Sequence, residues 1–325
     1  MSLLELKDLA VTYSSGDGDI PAVRGIDLRL DTGQTLGVAG ESGCGKSTIV
    51  AAVLRLLPKS AKVTGEILLD GEDVLTMAWG RLRAVRWAEA SIVFQGAMHS
   101  LNPVQRIGKQ LAEPILVHER VTAREAQTRV GELLEQVGLP PGRIHNYPHQ
   151  FSGGQKQRIM VAMALACKPK VILADEPTTA LDVMVQAQVL GLMSQLVREL
   201  GVGLMLISHD LSVLTRSCER IAVMYAGKIV EEGPAHEVFS APAHPYSEAL
   251  AAAFPRVGDG KFRYAPRGLG GDPPHPQDLP GGCTFHPRCP VALPTCSTAD
   301  VELWPAGAGR TAACVLVKDP ERVAS

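Results

Sequence analysis

Three short stretches in a set order constrain this chain more than any other part of it. Gly40–Ser47 reads GESGCGKS, Phe151–Gln155 reads FSGGQ, and Val171–Glu176 reads VILADE. The first has the spacing of a phosphate-binding loop. It lies between an apolar run at Gln34–Ala39, which reads as a strand, and a helical run at Lys46–Leu57 that Pro58 should stop. Glycines in such a loop let backbone N–H groups face phosphate oxygens, and the helix N-terminus adds partial positive charge. Gly40, Ser42, Gly43, Cys44, Gly45, Lys46, Ser47 and Thr48 are therefore the candidate nucleotide-binding stretch. Lys46 is expected to reach the β/γ-phosphates, Ser47 to put its hydroxyl on Mg²⁺, and Cys44 to be a small filler. In the third stretch four aliphatic residues precede two acids, which places Asp175 and Glu176 at the C-terminal end of a buried strand. Ligands bind there in open α/β sheets. Asp175 is the expected Mg²⁺ partner, and Glu176 is placed to polarise an attacking water as general base. FSGGQ can start a helix with Ser152 as N-cap, so its hydroxyl and N–H groups are ready anion ligands.

Bulk properties bound what surrounds these motifs. Of 325 residues, 32 are Lys or Arg and 34 are Asp or Glu, a balance that gives no electrostatic case for nucleic acid. No apolar run approaches the roughly 18 residues of a membrane span. Ile159–Cys167, bounded by Arg158 and Lys168, reads instead as a buried helix. MSLLELKDL at the N-terminus carries charges where a signal peptide needs an apolar core, so a cytosolic chain is expected.

Leu3–Tyr13 and Ala22–Leu30 alternate as half-buried strands do, with SSGDGDI (Ser14–Ile20) as a turn between them. Glu66–Leu69 followed by Asp70-Gly71 reads as a strand and turn. From about 96 to 165 the pattern is helical and amphipathic, with Thr122 as an N-cap. Strand character returns at Val171–Ala174, Val202–Ser208 and Ile221–Tyr225, and Ala226–Val230 reads as a turn and strand. The expected class is α/β, a phosphate-loop core with a mainly parallel sheet and an inserted helical subdomain. Residues 258–282 are rich in Gly and Pro and should hold little regular structure. Four of the seven cysteines follow them: Cys283, Cys289, Cys296 and Cys314. In a reducing compartment such a cluster favours a metal over disulfides.

Phosphate loop, SGGQ and aliphatic-Asp-Glu, in that order, resemble the ATP-binding-cassette (ABC) ATPases. The resemblance implies a P-loop core in which two chains sandwich two ATP molecules. Ser152, Gly153, Gly154 and Gln155 would then clamp the γ-phosphate held by a partner chain. Three smaller pieces extend the match. Gln95 in IVFQG stands where the family's Q-loop glutamine links the γ-phosphate and Mg²⁺ to the membrane-contacting face. Ala180-Leu181-Asp182 matches the D-loop, and His209 in LMLISHD matches the switch histidine. Tyr13 is the expected adenine-stacking aromatic. The catalytic set so implied is Glu176, His209 and Gln95, with Ser47, Gln95 and Asp175 around Mg²⁺.

HPYSEALAAAFP (His244–Pro255), GGCTFHPRCPVALPTC (Gly281–Cys296) and FQGAMHSLNP (Phe94–Pro103) look like the bacterial dipeptide/oligopeptide importer ATPases, whose features nickel importers share. That subfamily implies a second, different ATPase chain, two permease subunits and an extracytoplasmic binding protein, with this chain on the cytoplasmic membrane face. The change to Gly- and Pro-rich sequence beyond about Pro255 divides the chain into 1–255, the nucleotide-binding domain, and 256–325, an irregular extension. The cysteines are spaced C-x5-C-x6-C-x17-C, without the C-x2-C pairs of structural zinc sites. Some members of the subfamily are thought to carry a 4Fe–4S cluster at matching cysteines, and four thiolates on irregular loops suit one. Zinc or no metal stays open, and the metal would staple a tail expected to lack a core of its own. Two positions depart from the pattern: Phe151 replaces a Leu, and Gly96-Ala97 stands where Asp-Pro is common.

Other ABC functions fit less well. Only 106 positions separate Lys46 from Ser152, which leaves no room for the long coiled coil of DNA-repair ATPases. Translation factors need two cassettes in one chain. An exporter would not be expected to carry the importer-type tail. Peptide is the best cargo on resemblance, with nickel or another small solute as alternatives.

Overall fold

The computed structural model describes residues 2–16, 18–96, 100–179, 181–253, 269–307 and 309–318. The chain forms two compact units. One comprises Met1–Leu4, Arg29–Gln34 and Leu68–Leu206; the other comprises Glu5–Leu28, Thr35–Ile67 and Ile207–Ser325.

The second unit carries the phosphate loop. Five of its strands run side by side in the order Trp304–Pro305, Thr311–Ala312, Lys228–Pro234, Arg220–Tyr225, Thr35–Ala39. The last two are parallel, with Leu36 opposite Arg220 and Ala39 opposite Val223; the others pair antiparallel. Every residue of Thr35–Ala39 is buried, and so is all of Arg220–Tyr225 after its first residue. A strand covered on both faces reads as a continuous aliphatic run, which is why TLGVA and IAVMY do not alternate. Ala226 and Gly227 turn the chain into Lys228–Pro234, both with positive φ (45° and 84°), as a tight hairpin requires.

One expectation needs correction here. The helix after the phosphate loop spans Lys46–Val53 and ends before Leu57. Arg55 takes a left-handed φ of 48°, its N–H bonds Ala52 O, and the Leu56 N–H returns to Ala51 O at 2.7 Å. This is a Schellman stop made without glycine, so Pro58 is not what ends the helix. The C-terminal extension is anchored on aromatic rings of the cassette. Phe285 is fully buried, edge-on to Tyr225 and Tyr246 at 5.3 Å from each ring. Thr311–Ala312 adds to the open edge of Lys228–Pro234, with Ala312 opposite Glu231. Residues 269–282 form turns and bends only, while 254–268, which hold the start of the Gly/Pro segment, lie outside the described residues.

The first unit carries FSGGQ and VILADE. Ala90–Val93 and Val171–Asp175 are parallel neighbours, with Ala90 opposite Val171 and Val93 opposite Ala174. Leu69 pairs with Glu72 across Asp70 and Gly71, whose φ values of 51° and 82° make the two-residue hairpin turn that Asp-Gly favours. The helical stretch is present as Ile107–His118, Ala123–Gln136 and Gly153–Leu165, with 3₁₀ turns at Pro141–His145 and Pro148–Gln150. Thr122 caps Ala123–Gln136 in a reciprocal box with Glu125, and the helix buries Ala126, Val130, Leu133 and Leu134 on one face. Among the described residues no helix is long and apolar enough to cross a membrane.

Candidate functional site

The phosphate loop leaves a fully buried strand and enters a helix, and two glycines show why the turn needs them. A Cβ on Gly40 (φ 154°) would lie 2.3 Å from Met224 O. One on Gly45 (φ 108°) would lie 2.2 Å from Ala22 O. Neither position admits a side chain without moving backbone. The Gly227 N–H donates to Cys44 O at 3.1 Å, tying the loop to the Ala226-Gly227 turn. Lys46 is buried, and its Nζ donates to Gly40 O (2.7 Å) and Glu41 O (2.8 Å), which holds the ammonium inside the loop. Ser42, Gly43 and Ser47 are exposed at its mouth. Cys44 is buried and its thiol is pushed up by burial, in keeping with a filler. Tyr13 is half-buried at the end of Ser2–Ser15, its hydroxyl 3.2 Å from Thr48 Oγ1 in the first helical turn. His209 is exposed immediately after the strand Gly203–Ser208, and Asp210 next to it caps the helix Leu211–Ser217.

In the first unit the structure brings together Gln95, Glu176 and Thr179. Asp175 is buried at the end of its strand. Glu176 follows with φ 42°, a left-handed conformation that a non-glycine residue adopts only where its surroundings hold it. Its carboxylate accepts from Gln95 Nε2 and from Thr179 Oγ1, both at 3.1 Å. Gln95 lies just past Ala90–Val93, the parallel neighbour of the Asp175 strand. Two strand ends side by side thus deliver an amide and a carboxylate to one place. Nothing in the motif spacing points to Thr179.

Ser152 caps Gly153–Leu165 with Gln155 in a reciprocal box: its Oγ accepts the Gln155 N–H (3.3 Å) and Gln155 Oε1 accepts the Ser152 N–H (3.1 Å). At Gly154 a Cβ would lie 2.4 Å from Val185 Cγ1, so the second glycine of the motif leaves room for that side chain. Phe151 is buried, and the Arg143 guanidinium lies 4.1 Å over its ring. The departure from Leu therefore supplies a cation–π partner as well as apolar bulk. Asp182 caps Val183–Leu200 through the Met184 and Val185 N–H groups. Ala180, the first residue of the D-loop match, lies outside the described residues, as do Ala97, Met98 and His99 after Gln95.

Cys283, Cys289, Cys296 and Cys314 all line one small cavity, together with apolar side chains such as Phe285 and Leu316. Backbone N–H groups of Phe285, Val291 and Leu316 hydrogen-bond to Cys283, Cys289 and Cys314, each from two residues onward. The Leu293 N–H donates to Cys296 Sγ at 3.4 Å. Amide donors favour thiolate, yet burial and the neighbouring cysteines outweigh them and push Cys283 up to about 11. Among the described residues no group of three or more His, Cys, Asp or Glu could hold a metal ion. A single zinc needs four sulfurs about 2.3 Å from one point. An iron–sulfur cluster, by contrast, spreads its thiolates over several irons and takes hydrogen bonds to sulfur.

A phosphate loop, a paired strand-end glutamine and glutamate, and a capped SGGQ helix define a cassette-type ATPase. Comparison with known proteins agrees. Residues 23–179 match the ABC transporter family, and residues 230–296 match the oligopeptide/dipeptide transporter C-terminal region. The chain is 43% identical to the oligopeptide transport ATP-binding protein OppD of Escherichia coli (strain K12), across 92% of this chain and 88% of that one. It is 42% identical to the protein of the same name from Bacillus subtilis (strain 168), across 90% and 82%. Its fold matches the dimeric structure of MJ0796, a bacterial ABC transporter cassette, with TM-score 0.64 and 30% identity over 71% of this chain and 98% of that chain. The chain belongs to the ATP-binding proteins of the ABC transporter family, in the branch that carries the oligopeptide/dipeptide C-terminal region.

Proposed function

We propose that this chain is the ATP-hydrolysing subunit of a bacterial importer that takes up di- and oligopeptides. It works at the cytoplasmic membrane face with a second ATPase chain, two permease subunits and an extracytoplasmic binding protein. One observation carries the reading: the ABC transporter match over 23–179 and the oligopeptide/dipeptide C-terminal match over 230–296 occur in a single chain, 92% of which aligns with a relative named for oligopeptide transport. The division is taken as 1–255 for the cassette and 256–325 for the extension, a boundary that lies outside the described residues.

In this reading the phosphate-loop amides and Lys46 bind the β/γ-phosphates, while Tyr13 stacks on adenine. Ser47, Gln95 and Asp175 supply the oxygen donors that Mg²⁺ prefers. Glu176, oriented by Gln95 and Thr179, takes the proton of the attacking water. His209 contacts the γ-phosphate, and Ser152, Gly153, Gly154 and Gln155, with Asp182, serve the partner's nucleotide. The permease docks on the first unit. A cleft of about 560 Å³ there is lined by Ser100, Asn102, Gln105, Glu113, Val117 and Met163, and Phe94, Val104 and Val117 are exposed. The four cysteines hold an iron–sulfur cluster. The support is their common cavity and the amide donated to each sulfur.

The test uses the complex purified with its neighbouring subunits and placed in vesicles. Uptake of a labelled peptide that depends on ATP and binding protein supports the reading; uptake of nickel with no response to peptide overturns the cargo. Glu176→Gln should cut hydrolysis by about 10²–10⁴-fold while ATP still binds. Turnover close to wild type would remove Glu176 from the role of base.

A further inference from the structure

The C-terminal extension reaches into the phosphate loop itself. Arg288, in the short turn between Cys283 and Cys289, makes a bidentate ion pair with Glu41, the second residue of GESGCGKS. Its Nη1 is 2.7 Å from Oε2 and its Nη2 is 3.0 Å from Oε1. The Arg288 side chain is only 7% exposed and that of Glu41 26%, so solvent and salt screen the pair weakly. The Tyr225 hydroxyl accepts from the same Nη1 at 3.3 Å, and Arg288 Nε donates to Gly270 O at 3.0 Å. All the polar groups of the guanidinium are thereby aimed, and one partner is a loop residue 247 positions earlier. A second contact reinforces the first. The Glu41 N–H donates to the hydroxyl of buried Tyr246 at 2.9 Å.

Glu41 matters for a reason visible in the loop. Its carbonyl oxygen is one of the two that hold the Lys46 ammonium. Its carboxylate is also a negative charge within a loop built to receive phosphate. Left unpaired, it would repel the polyphosphate at short range in a partly buried setting. A bidentate guanidinium fixes the carboxylate plane and offsets its charge.

We propose that Arg288 is a positioning residue for ATP: from the extension it holds and neutralises Glu41, and so sets the phosphate loop and Lys46 for the nucleotide. Arg288 acts through Glu41 and touches no reacting atom. The consequence is a KM effect, because the loop binds phosphate in the ground state and the transition state alike. The inference rests on the phosphate loop holding ATP, which the wild-type complex tests by itself.

The experiment is steady-state ATPase kinetics on the intact complex carrying Arg288→Ala, Glu41→Gln or both, with cysteine-site metal content and melting temperature measured beside them. Arg288→Ala should raise KM for ATP about tenfold with kcat within about twofold, since it strands a carboxylate beside phosphate. Glu41→Gln added to it should recover most of that loss, because no charge is then stranded. An extension that only packed would give no such rescue. If Arg288→Ala does not fold, Arg288→Lys carries the test: it keeps the charge and loses the fork, so KM rises about threefold. A wild-type KM in the folded arginine variant, or no rescue by Glu41→Gln, overturns the proposal. A wild-type complex that fails to hydrolyse ATP would sink the cassette reading instead.

Discussion

The phosphate loop and the cysteine loops stand on opposite kinds of foundation, although backbone N–H groups reach the cysteine sulfurs much as they line a phosphate loop. The phosphate loop begins at the end of a strand buried along its whole length and runs straight into a helix. Its shape is set by close backbone neighbours, Met224 O and Ala22 O among them. The cysteines sit beside 3₁₀ turns at His286–Arg288 and Pro294–Ser297 and a four-residue helix at Val315–Lys318. Their foundation is one aromatic anchor, Phe285, and a two-residue strand. The first site therefore stores its geometry in the scaffold, while the second rests on short irregular segments and one buried ring.

That difference predicts opposite responses to damage. Gly45→Ala should produce the largest effect in the loop. A Cβ would sit 2.2 Å from Ala22 O and 2.7 Å from Met224 Cε, at a φ of 108° that alanine resists. ATP affinity should fall by about a hundredfold or more, a loss of about 3 kcal/mol. The metal content of the extension should stay unchanged. Equilibrium binding of a fluorescent ATP analogue, with metal analysis on the same sample, checks both. Loss of metal in Gly45→Ala would show that the two sites share one foundation after all.

Cys289→Ser tests the other side. It removes one thiolate from the common cavity and should abolish cluster content, read as iron, sulfide and visible absorbance after anaerobic purification. The extension should loosen, while ATP binding weakens by no more than about threefold, less than in Arg288→Ala. Iron and sulfide unchanged in Cys289→Ser would dismiss the four-cysteine site. Burial, added to by the neighbouring cysteines, pushes the Cys283 thiol up to about 11 and raises Cys289 and Cys314 as well. Loading the site must therefore release protons, and it should be faster at higher pH.

The same contrast explains what could be read from the residues. GESGCGKS and VILADE were legible because phosphate chemistry demands glycines at fixed spacing and a strand demands aliphatic residues; the structure adds only where Lys46 and Glu176 point. Gln95 and Glu176 are 81 positions apart, yet each closes a strand, and parallel pairing of those strands is what joins them. The helix end at Val53 was misplaced because the left-handed stop falls on an arginine, where sequence signals favour glycine or a following proline. Nothing local announces that Phe285 anchors the tail or that Arg288 reaches Glu41. Both depend on long-range packing around Tyr225 and Tyr246, and a lone HPR triplet carries no period or cap from which to infer it.

The link between the two regions also has a weaker member, and its size decides how the link works. Tyr246 is fully buried and touches the loop through one hydrogen bond, accepting the Glu41 N–H. Tyr246→Phe keeps the ring against Phe285 and Tyr225 and removes only that acceptor. The cost is one neutral hydrogen bond, about 1 kcal/mol, with no charge left stranded. KM for ATP should rise about fivefold or less, kcat should hold, and cluster content should match wild type. If the effect equalled or exceeded that of Arg288→Ala, the extension would be acting on the loop backbone and the carboxylate would be incidental. If it were smaller, as expected, the charge of Glu41 is what the extension controls, and the loop otherwise stands on its own strand and helix.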